Sequence, residues 1–349
     1  MAEFLSVGYG NVGQAVPERC EDLGLDHSPF VIKSDGTYLR QIDGSVPEEP
    51  YSKDPAFWED GEVTDNLKLA FVTLPSDRDE RELEVIERLQ EQGITVVTAA
   101  KGAMANHFER LEPGIDDTGI SATAGGGVRM LPHILDRLNP RVTQVHVVPN
   151  GTVNYFVDGV DKGETPGQMI DQAVTLGYAE PGATDHLDVL NGEVVGDIPK
   201  KATILYNAGI RRALGLERII TPEDIEASPL TLDAFDQLVA EAGDRRYILS
   251  FLRGVHAEKE EKDVIAGFKT GEFDEGWIIT GGFRKVGSNP LFKRHLRVPG
   301  AWNAILTAEG PDESDGVIPL SGPGAGPGPT AAAMVQDARH LLRARLLAA

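Results

Sequence analysis

The sequence predicts an α/β fold, with a parallel, doubly wound sheet in its N-terminal part and a second part of α+β texture. Three observations carry this expectation. A glycine-rich turn follows directly on the first apolar strand. Apolar strands then alternate with helical segments to about residue 100. After about residue 140 the texture changes, and strands and helices come in separate runs.

Residues 2–7 (AEFLSV) read as a short buried strand, and 14–24 as a helix stopped by Gly24. His27 to Lys33 reads as a second strand, broken at its start by Pro29. Residues 34–66 are polar and turn-rich. Lys68 to Leu74 is a third strand. The run 77–92 carries Leu83, Val85, Ile86 and Leu89 at helical spacing, so it predicts an amphipathic helix. Gly93 stops it, and Ile94 to Thr98 is a further strand. Val142 to Val148 alternates as a strand does, and helices are expected near 166–177 and 198–214. The stretches 246–255, FKTGEF and GWIITGGF read as antiparallel strands. The Gly/Pro-rich run SGPGAGPGPT from 321 reads as a binding loop ahead of a final helix, 330–347.

Composition narrows the class. The 349 residues are 41% hydrophobic and 25% charged, as in a folded protein of more than one domain. No apolar run reaches about 18 residues, so no membrane span is expected. The N-terminus lacks the basic region and apolar run of a signal peptide, which makes a cytoplasmic protein the expectation. A single cysteine, Cys20, excludes an internal disulfide and a cysteine-based zinc site. The net charge of −22 repels phosphates, so no nucleic-acid partner is expected. The 33 cations divide into 12 Lys and 21 Arg. Hydrated carboxylates with few lysines suit a high-salt cytoplasm, where screening weakens self-repulsion. A halophilic source is the expectation.

Gly8-Tyr9-Gly10-Asn11-Val12-Gly13 matches the G-x-G-x-x-G pattern of a dinucleotide-binding Rossmann domain. Gly8 permits the tight turn, Gly10 lets a pyrophosphate approach, and Gly13 lets helix and strand pack closely. Asn11 and Val12 open the helix whose N-terminus favours the anion. Thr73, near the end of the third strand, joins the cofactor-binding candidates. Lys33, at the tip of the second strand, favours the 2′-phosphate of NADP, and Asp35 favours NAD. Arg40, seven residues on from Lys33, offers a second phosphate contact. Lys101 closes Thr98-Ala99-Ala100-Lys101, just past a strand, where it either donates a proton, holds a carboxylate or is solvated. Asn150-Gly151-Thr152-Val153-Asn154 suits a tight hydrogen-bonding turn. Asp197 and Lys201 stand at i and i+4, either an exposed ion pair or a carboxylate and ammonium aimed at an amino-acid substrate. Pro199 fits a helix's first turn.

Taken in order, these motifs resemble the homoserine dehydrogenase family. The resemblance rests on VGYGNVG (7–13), VVTAAK (96–101), ATAGGGV (122–128), PNGTVNYFVD (149–158), LGYAEP (176–181), the Asp197–Lys201 pair, VPGAWNAI (298–305) and GPGAGPGPTAAA (322–333). It implies a reversible NAD(P)-dependent reduction of L-aspartate 4-semialdehyde to L-homoserine, in threonine, methionine and isoleucine synthesis. Lys101 and Lys201 match the family's acid/base lysines. Glu180 and Asp197 match the residues that hold the substrate's amino end, with Asp185 or Asp188 as a third acid and Gly177 and Tyr178 beside them. Gly324 falls in the family's second glycine-rich segment and is implied in cofactor binding. A Na⁺ or K⁺ is implied at the backbone carbonyls of Ser121, Ala124, Gly126 and Val128.

The resemblance also implies an organisation. Residues 1–140 would form the dinucleotide-binding domain and 141–305 a substrate-binding and dimerisation domain. Residues 306–349 would return to the first domain. A homodimer is implied, with the strands in 245–285 meeting across a two-fold axis. The chain resembles the monofunctional form, without a kinase or a regulatory module. Ala100, Ser121 and Arg129 depart from the family's usual Asn, Glu and Pro. Glu180 and Asp197 are 17 residues apart, farther than usual in the family, so the substrate loop carries an insertion. Two other readings follow from these departures: a dehydrogenase of another amino-acid semialdehyde or keto compound, and a non-catalytic nucleotide sensor.

Overall fold

The computed structural model describes residues 2–41, 43–75, 77–178, 185–257, 263–310 and 316–348. The chain divides into two compact units, Met1–Thr123 with Pro327–Ala349, and Ala124–Gly326.

The first unit is built on a six-stranded sheet of β1 (Glu3–Val7), β2 (Asp26–Lys33), β3 (Gly36–Leu39), β4 (Leu67–Val72), β5 (Thr95–Thr98) and β6 (Thr118–Gly119). The strand order is β3-β2-β1-β4-β5-β6. Every pair is parallel except β2 with β3. The order reverses between β1 and β4, so the carboxyl ends of those strands form the crevice in which such sheets bind ligands. The four residues of β3 are too few to show alternation, and they lie inside the stretch whose polarity predicted only turns.

The first helix is shorter than its sequence suggested. It spans Asn11–Ala15, and 3₁₀ turns follow at Pro17–Arg19 and Glu21–Leu23. Pro17 has no N–H to continue the α-helical ladder, so the chain tightens instead. Gly24 ends the segment in the left-handed region, with φ +68°. The helix Asp79–Glu91 buries Leu83, Val85, Ile86 and Leu89 as the spacing required. The final helix, Pro327–Ala348, belongs to this unit. Its Ala331, Met334, Val335 and Ala338 share a core with Phe4, Leu69, Phe71 and Val97. Cys20 is buried in the same core and serves as a small apolar side chain.

The second unit holds a fully antiparallel sheet of β7 (Gln144–Val148), β8 (Arg245–Leu252), β9 (Ile265–Lys269), β10 (Ile278–Lys285), β11 (Trp302–Ala308) and β12 (Ile318–Pro323). Its order is β12-β11-β7-β8-β10-β9. Tyr247 and Phe283 of the sheet pack with Val153 and Phe156 of the helix Gly151–Asp161, and with Ile170 and Ile198. The helix Met130–Arg137 packs against the helical turn Leu205–Arg211, which places it in this unit rather than with residues 1–123.

The expected helix 198–214 begins earlier, at His186. It runs through π-helical turns at Gly192–Asp197 and Leu205–Arg211. The first wide turn immediately precedes Pro199, whose missing N–H an α-helical interior would not tolerate. The run expected to form one loop from residue 321 is divided. Residues 321–323 finish β12, 324–326 turn, and Pro327 opens the last helix.

Two histidines, His27 half-buried and His146 buried, are held neutral by loss of solvent. His27 of β2 bonds the carbonyl of Ser28 through Nδ1 at 2.7 Å, and burial lowers its pKa from 6.5 to about 4. His146 of β7 lies 2.7 Å from Ser250 Oγ, and burial lowers its pKa to about 3, with help from the charge of Arg284. In the unfolded chain both take up a proton near pH 6.5, while in the folded chain they resist it. Stability is therefore complete above pH 6.5 and falls as pH drops toward 4. At pH 5 each histidine costs on the order of 2 kcal/mol. Calorimetry should show a smaller loss of Tm between pH 7 and pH 5 in His27→Gln and in His146→Gln than in the wild type. Equal losses would exclude the histidines as the cause.

Candidate active site

In the first unit the glycine-rich turn is held by close backbone packing. Gly8 lies in the left-handed region with φ +88°, and a Cβ there would meet the carbonyl oxygen of Thr73 at 2.5 Å. A Cβ on Gly13 would lie 2.2 Å from the carbonyl oxygen of Gly8. Thr73 Oγ1 donates to that same carbonyl at 2.9 Å, tying the end of β4 to the turn. Gly10 differs: a Cβ there would meet nothing within 4 Å. Gly10 and Asn11 are exposed and Val12 is half-buried at the helix start. Two glycines thus close the turn and one leaves room above it, an arrangement that fits a dinucleotide pyrophosphate.

At the tip of β2, the Lys33 ammonium lies over the Tyr38 ring, 4.1 Å from its centroid. Asp35 accepts from Tyr38 Oη at 2.7 Å, and this bond holds its carboxyl below the usual range, with Lys33 and Lys53 adding to the effect. Lys53 is brought here because Thr37 of β3 bridges to Ser52. The same pairing removes Arg40 from the position its spacing suggested. β3 runs back along β2, and the N–H of Arg40 bonds the carbonyl of Pro29 at 2.6 Å. Arg40 is therefore beside the middle of β2, away from Lys33, and Lys53 is the second cation at the strand tip.

Lys101 follows β5 and is the N-cap residue of the short helix Gly102–Asn106. Thr98 Oγ1 donates to the carbonyl of Val72 at 3.2 Å and accepts from the N–H of Ala100 at 2.9 Å, which fixes the turn that leads to it.

In the second unit the residues 150–154 do not form a free turn. Asn150 is the N-cap of the helix Gly151–Asp161, and its Oδ1 accepts from the N–H of Val153 at 2.8 Å. Its amide then donates to two carboxylates, Glu193 Oε2 at 2.5 Å and Asp197 Oδ2 at 2.8 Å. Lys201 Nζ is 2.6 Å from Asp197 Oδ2 and donates to the carbonyl of Pro149 at 3.0 Å. Both side chains of this ion pair are largely buried, at 13% and 14% exposure, so it is no solvated surface bridge. Thr152 donates to the carbonyl of Tyr178 at 2.9 Å, and the Tyr178 ring stacks edge-on with Tyr155. Gly177, with φ +70°, turns the chain just ahead of Tyr178.

Glu193 had no place in the sequence reading. The signal was present: Glu193, Asp197 and Lys201 repeat every four residues, one face of a helical run. Conversely, Asp185 and Asp188 are exposed, and Asp185 caps the helix His186–Asn191 by accepting from the N–H groups of Leu187 and Asp188. Among the described residues the third acid beside Asp197 is Glu193. Glu180 lies outside the described residues.

Gly324 packs against Asn303, whose side chain a Cβ would meet at 2.1 Å. Of the four residues considered for a monovalent ion, Ser121 donates through N–H and Oγ to Asp337 at 2.8 and 2.6 Å. Ala124 and Val128 are buried, and the carbonyl of Gly126 accepts from the N–H of Arg129. No three His, Cys, Asp or Glu side chains among the described residues are grouped to hold a metal. The resemblance implies an ion held by backbone carbonyls, of which that of Gly126 already accepts from Arg129, and no catalytic step is routed through it.

The family model for homoserine dehydrogenase matches residues 135–338, more than half of the chain. A homoserine dehydrogenase of Synechocystis is 25% identical over 256 residues, covering 71% of this chain and 52% of that protein. One of Mycobacterium bovis is 24% identical over 353 residues, covering 98% of this chain and 72% of that protein. The chain thus spans about half the length of the first of these relatives and nearly three quarters of the second. Among solved structures, the homoserine dehydrogenase of Thermoplasma acidophilum superposes with a TM-score of 0.69 at 19% identity, covering 99% of each chain. A hyperthermophilic archaeal homoserine dehydrogenase in complex with NADPH gives a TM-score of 0.61 at 19% identity, covering 99% of this chain and 98% of that one. These two likenesses show the fold. On the family match, the chain belongs to the homoserine dehydrogenase family.

Proposed function

We propose that the protein interconverts L-aspartate 4-semialdehyde and L-homoserine with a nicotinamide dinucleotide, in the biosynthesis of threonine, methionine and isoleucine. The observation that carries this reading is the Asn150 amide held between Glu193 and Asp197, with Lys201 on Asp197. Two carboxylates gathered on one amide, with an ammonium beside them, suit the ammonium of an amino-acid substrate, which is costly to bury without anionic partners. Lys201 has three N–H donors, and Asp197 and the Pro149 carbonyl take two. The third stabilises the oxygen that gains charge when the aldehyde is reduced, and then protonates it. The family resemblance makes Lys101 the second proton-transfer lysine. When bound, the cofactor supplies the hydride, and Gly8, Gly10, Gly13 and Thr73 hold its pyrophosphate end.

The direct test follows NADPH and NADH oxidation with aspartate semialdehyde, other semialdehydes and 2-oxo acids, at low and multimolar salt. Turnover of aspartate semialdehyde at rates far above the others supports the assignment. Preference for another semialdehyde would move the substrate, since Glu193 lies in the inserted stretch between Glu180 and Asp197. Binding without turnover of any carbonyl would favour a nucleotide sensor.

NADP(H) is the preferred cofactor in this reading, because Lys33 and Lys53 flank the strand tip. The ammonium of Lys33 over Tyr38 is poised for a 2′-phosphate, a partly exposed contact worth on the order of 1 kcal/mol or more. The Kd of NADPH should rise about tenfold in Lys33→Asp at fixed salt, while that of NADH stays or falls. Unchanged preference would show Lys33 to be turned to solvent. The charge of −22 supports a halophilic, cytoplasmic enzyme, and the antiparallel sheet of the second unit supports a homodimer. Light scattering in multimolar KCl tests both, and a monomer mass there would remove the dimer.

A further inference from the structure

Glu82 is a carboxylate with no exposure at all, and no role assigned so far uses it. It lies in the first turn of the helix Asp79–Glu91. Burial of such a group is unfavourable unless it is well hydrogen-bonded. Its Oε2 accepts from the N–H of Ala103 at 2.8 Å. Ala103 is two residues beyond Lys101, in the first turn of the helix Gly102–Asn106.

That helix has five residues, too few to persist alone. No side chain of its own N-cap residue satisfies its first N–H groups. Glu82 does so from the neighbouring helix, with the charge sign that a helix N-terminus favours. The other end is fastened to the same neighbour. Asn106 Nδ2 donates to Asp79 Oδ2 at 2.7 Å, and His107 Nε2 lies 3.4 Å from that oxygen. Asp79 and Glu82 are three residues apart, so both point from one helix face. Between these two anchors Gly102, Ala103, Met104 and Ala105 are buried. Lys101 stands at the start of the anchored helix, with its backbone in the helical region and its carbonyl accepting from Ala105.

We propose that Glu82 is a positioning residue for Lys101: it caps the short helix across the inter-helix contact and so sets where the lysine is presented. The idea rests on the reading of Lys101 as a proton-transfer residue. It predicts that the placement of the acceptor oxygen matters more than its charge.

Glu82→Gln keeps an acceptor oxygen at the same reach, whereas Glu82→Asp keeps the charge and withdraws the oxygen by one methylene. With cofactor saturating, Glu82→Asp should lower kcat about tenfold, with the Kd of NADPH and the KM changed by less than about threefold. Glu82→Gln should stay within about threefold of wild type in kcat. In a Lys101→Ala background, Glu82→Asp should cause no further loss, because the two act through one group. Each variant is assayed below its own Tm and scaled to folded protein. A Glu82→Asp enzyme with wild-type kcat, a Glu82→Gln enzyme as impaired as Glu82→Asp, or additive losses in the double variant would each overturn the proposal. Full activity of Lys101→Ala alone would instead overturn the reading of Lys101, and the proposal with it.

Discussion

Replacement of Lys201 by alanine should lower kcat by about 10²–10⁴-fold, the usual worth of a positioned acid/base group, while cofactor binding is retained. The geometry gives two reasons. The ammonium is fixed by Asp197 and by the Pro149 carbonyl, so its remaining N–H is aimed rather than mobile. The pair is also largely buried, so water does not replace the lost donor well. The fold should survive. Asp197 keeps the Asn150 amide as a partner, and Lys201 lies at the edge of the core rather than in it. Lys201→Arg keeps the charge but not the ability to release a proton, so it should be nearly as inactive as alanine. Glu193→Gln should instead raise the KM for the amino substrate and alter kcat less, because it removes charge from the end that binds and not from the end that reacts. Steady-state kinetics on the three variants, with NADPH titrated separately, decides the matter. A loss of less than about threefold in Lys201→Ala would remove the lysine from the mechanism.

Much of this arrangement was legible in the sequence, for a physical reason in each case. The parallel sheet was legible because buried strands such as 67–72 and 95–98 are short apolar runs between turn signals. The Asp197–Lys201 pair was legible because an i,i+4 spacing puts two side chains on one helix face whatever surrounds them. Residues set by tertiary contact were not legible. Glu193 becomes a site residue only because Asn150, 43 positions away, reaches it. Arg40 was misplaced because the reading took the stretch after Lys33 as loop, whereas four residues of β3 fold it back along β2. The first helix was overextended because its apolar spacing continues past Pro17 while its hydrogen bonds do not. Asp185 was matched through the family resemblance, and its place just before a helix, where an acid serves as cap, could be read only once the helix His186–Asn191 was seen.

The glycines of the first turn should separate folding from cofactor binding. Gly13→Ala places a methyl 2.2 Å from the carbonyl oxygen of Gly8 and 2.9 Å from Thr73 Oγ1. The first of these neighbours is backbone and cannot rotate away. The helix start must shift, at about 1–3 kcal/mol, which is a drop of several degrees in Tm for a unit of this size. Gly10→Ala behaves in the opposite way. Gly10 has φ −79° and ψ −163°, a conformation alanine adopts without strain, and its methyl would meet no protein atom within 4 Å. The folded chain should therefore be unharmed, and loss of glycine's freedom in the unfolded state should add about 0.4–1 kcal/mol. That empty space is, however, the approach proposed for the pyrophosphate. The methyl should raise the Kd of NADPH by about tenfold or more, since close backbone approach is what the second glycine of the pattern permits. Thermal denaturation without cofactor and calorimetric titration with NADPH read the two effects independently. Wild-type NADPH affinity in a stably folded Gly10→Ala variant would place the pyrophosphate elsewhere and withdraw the turn from the cofactor site.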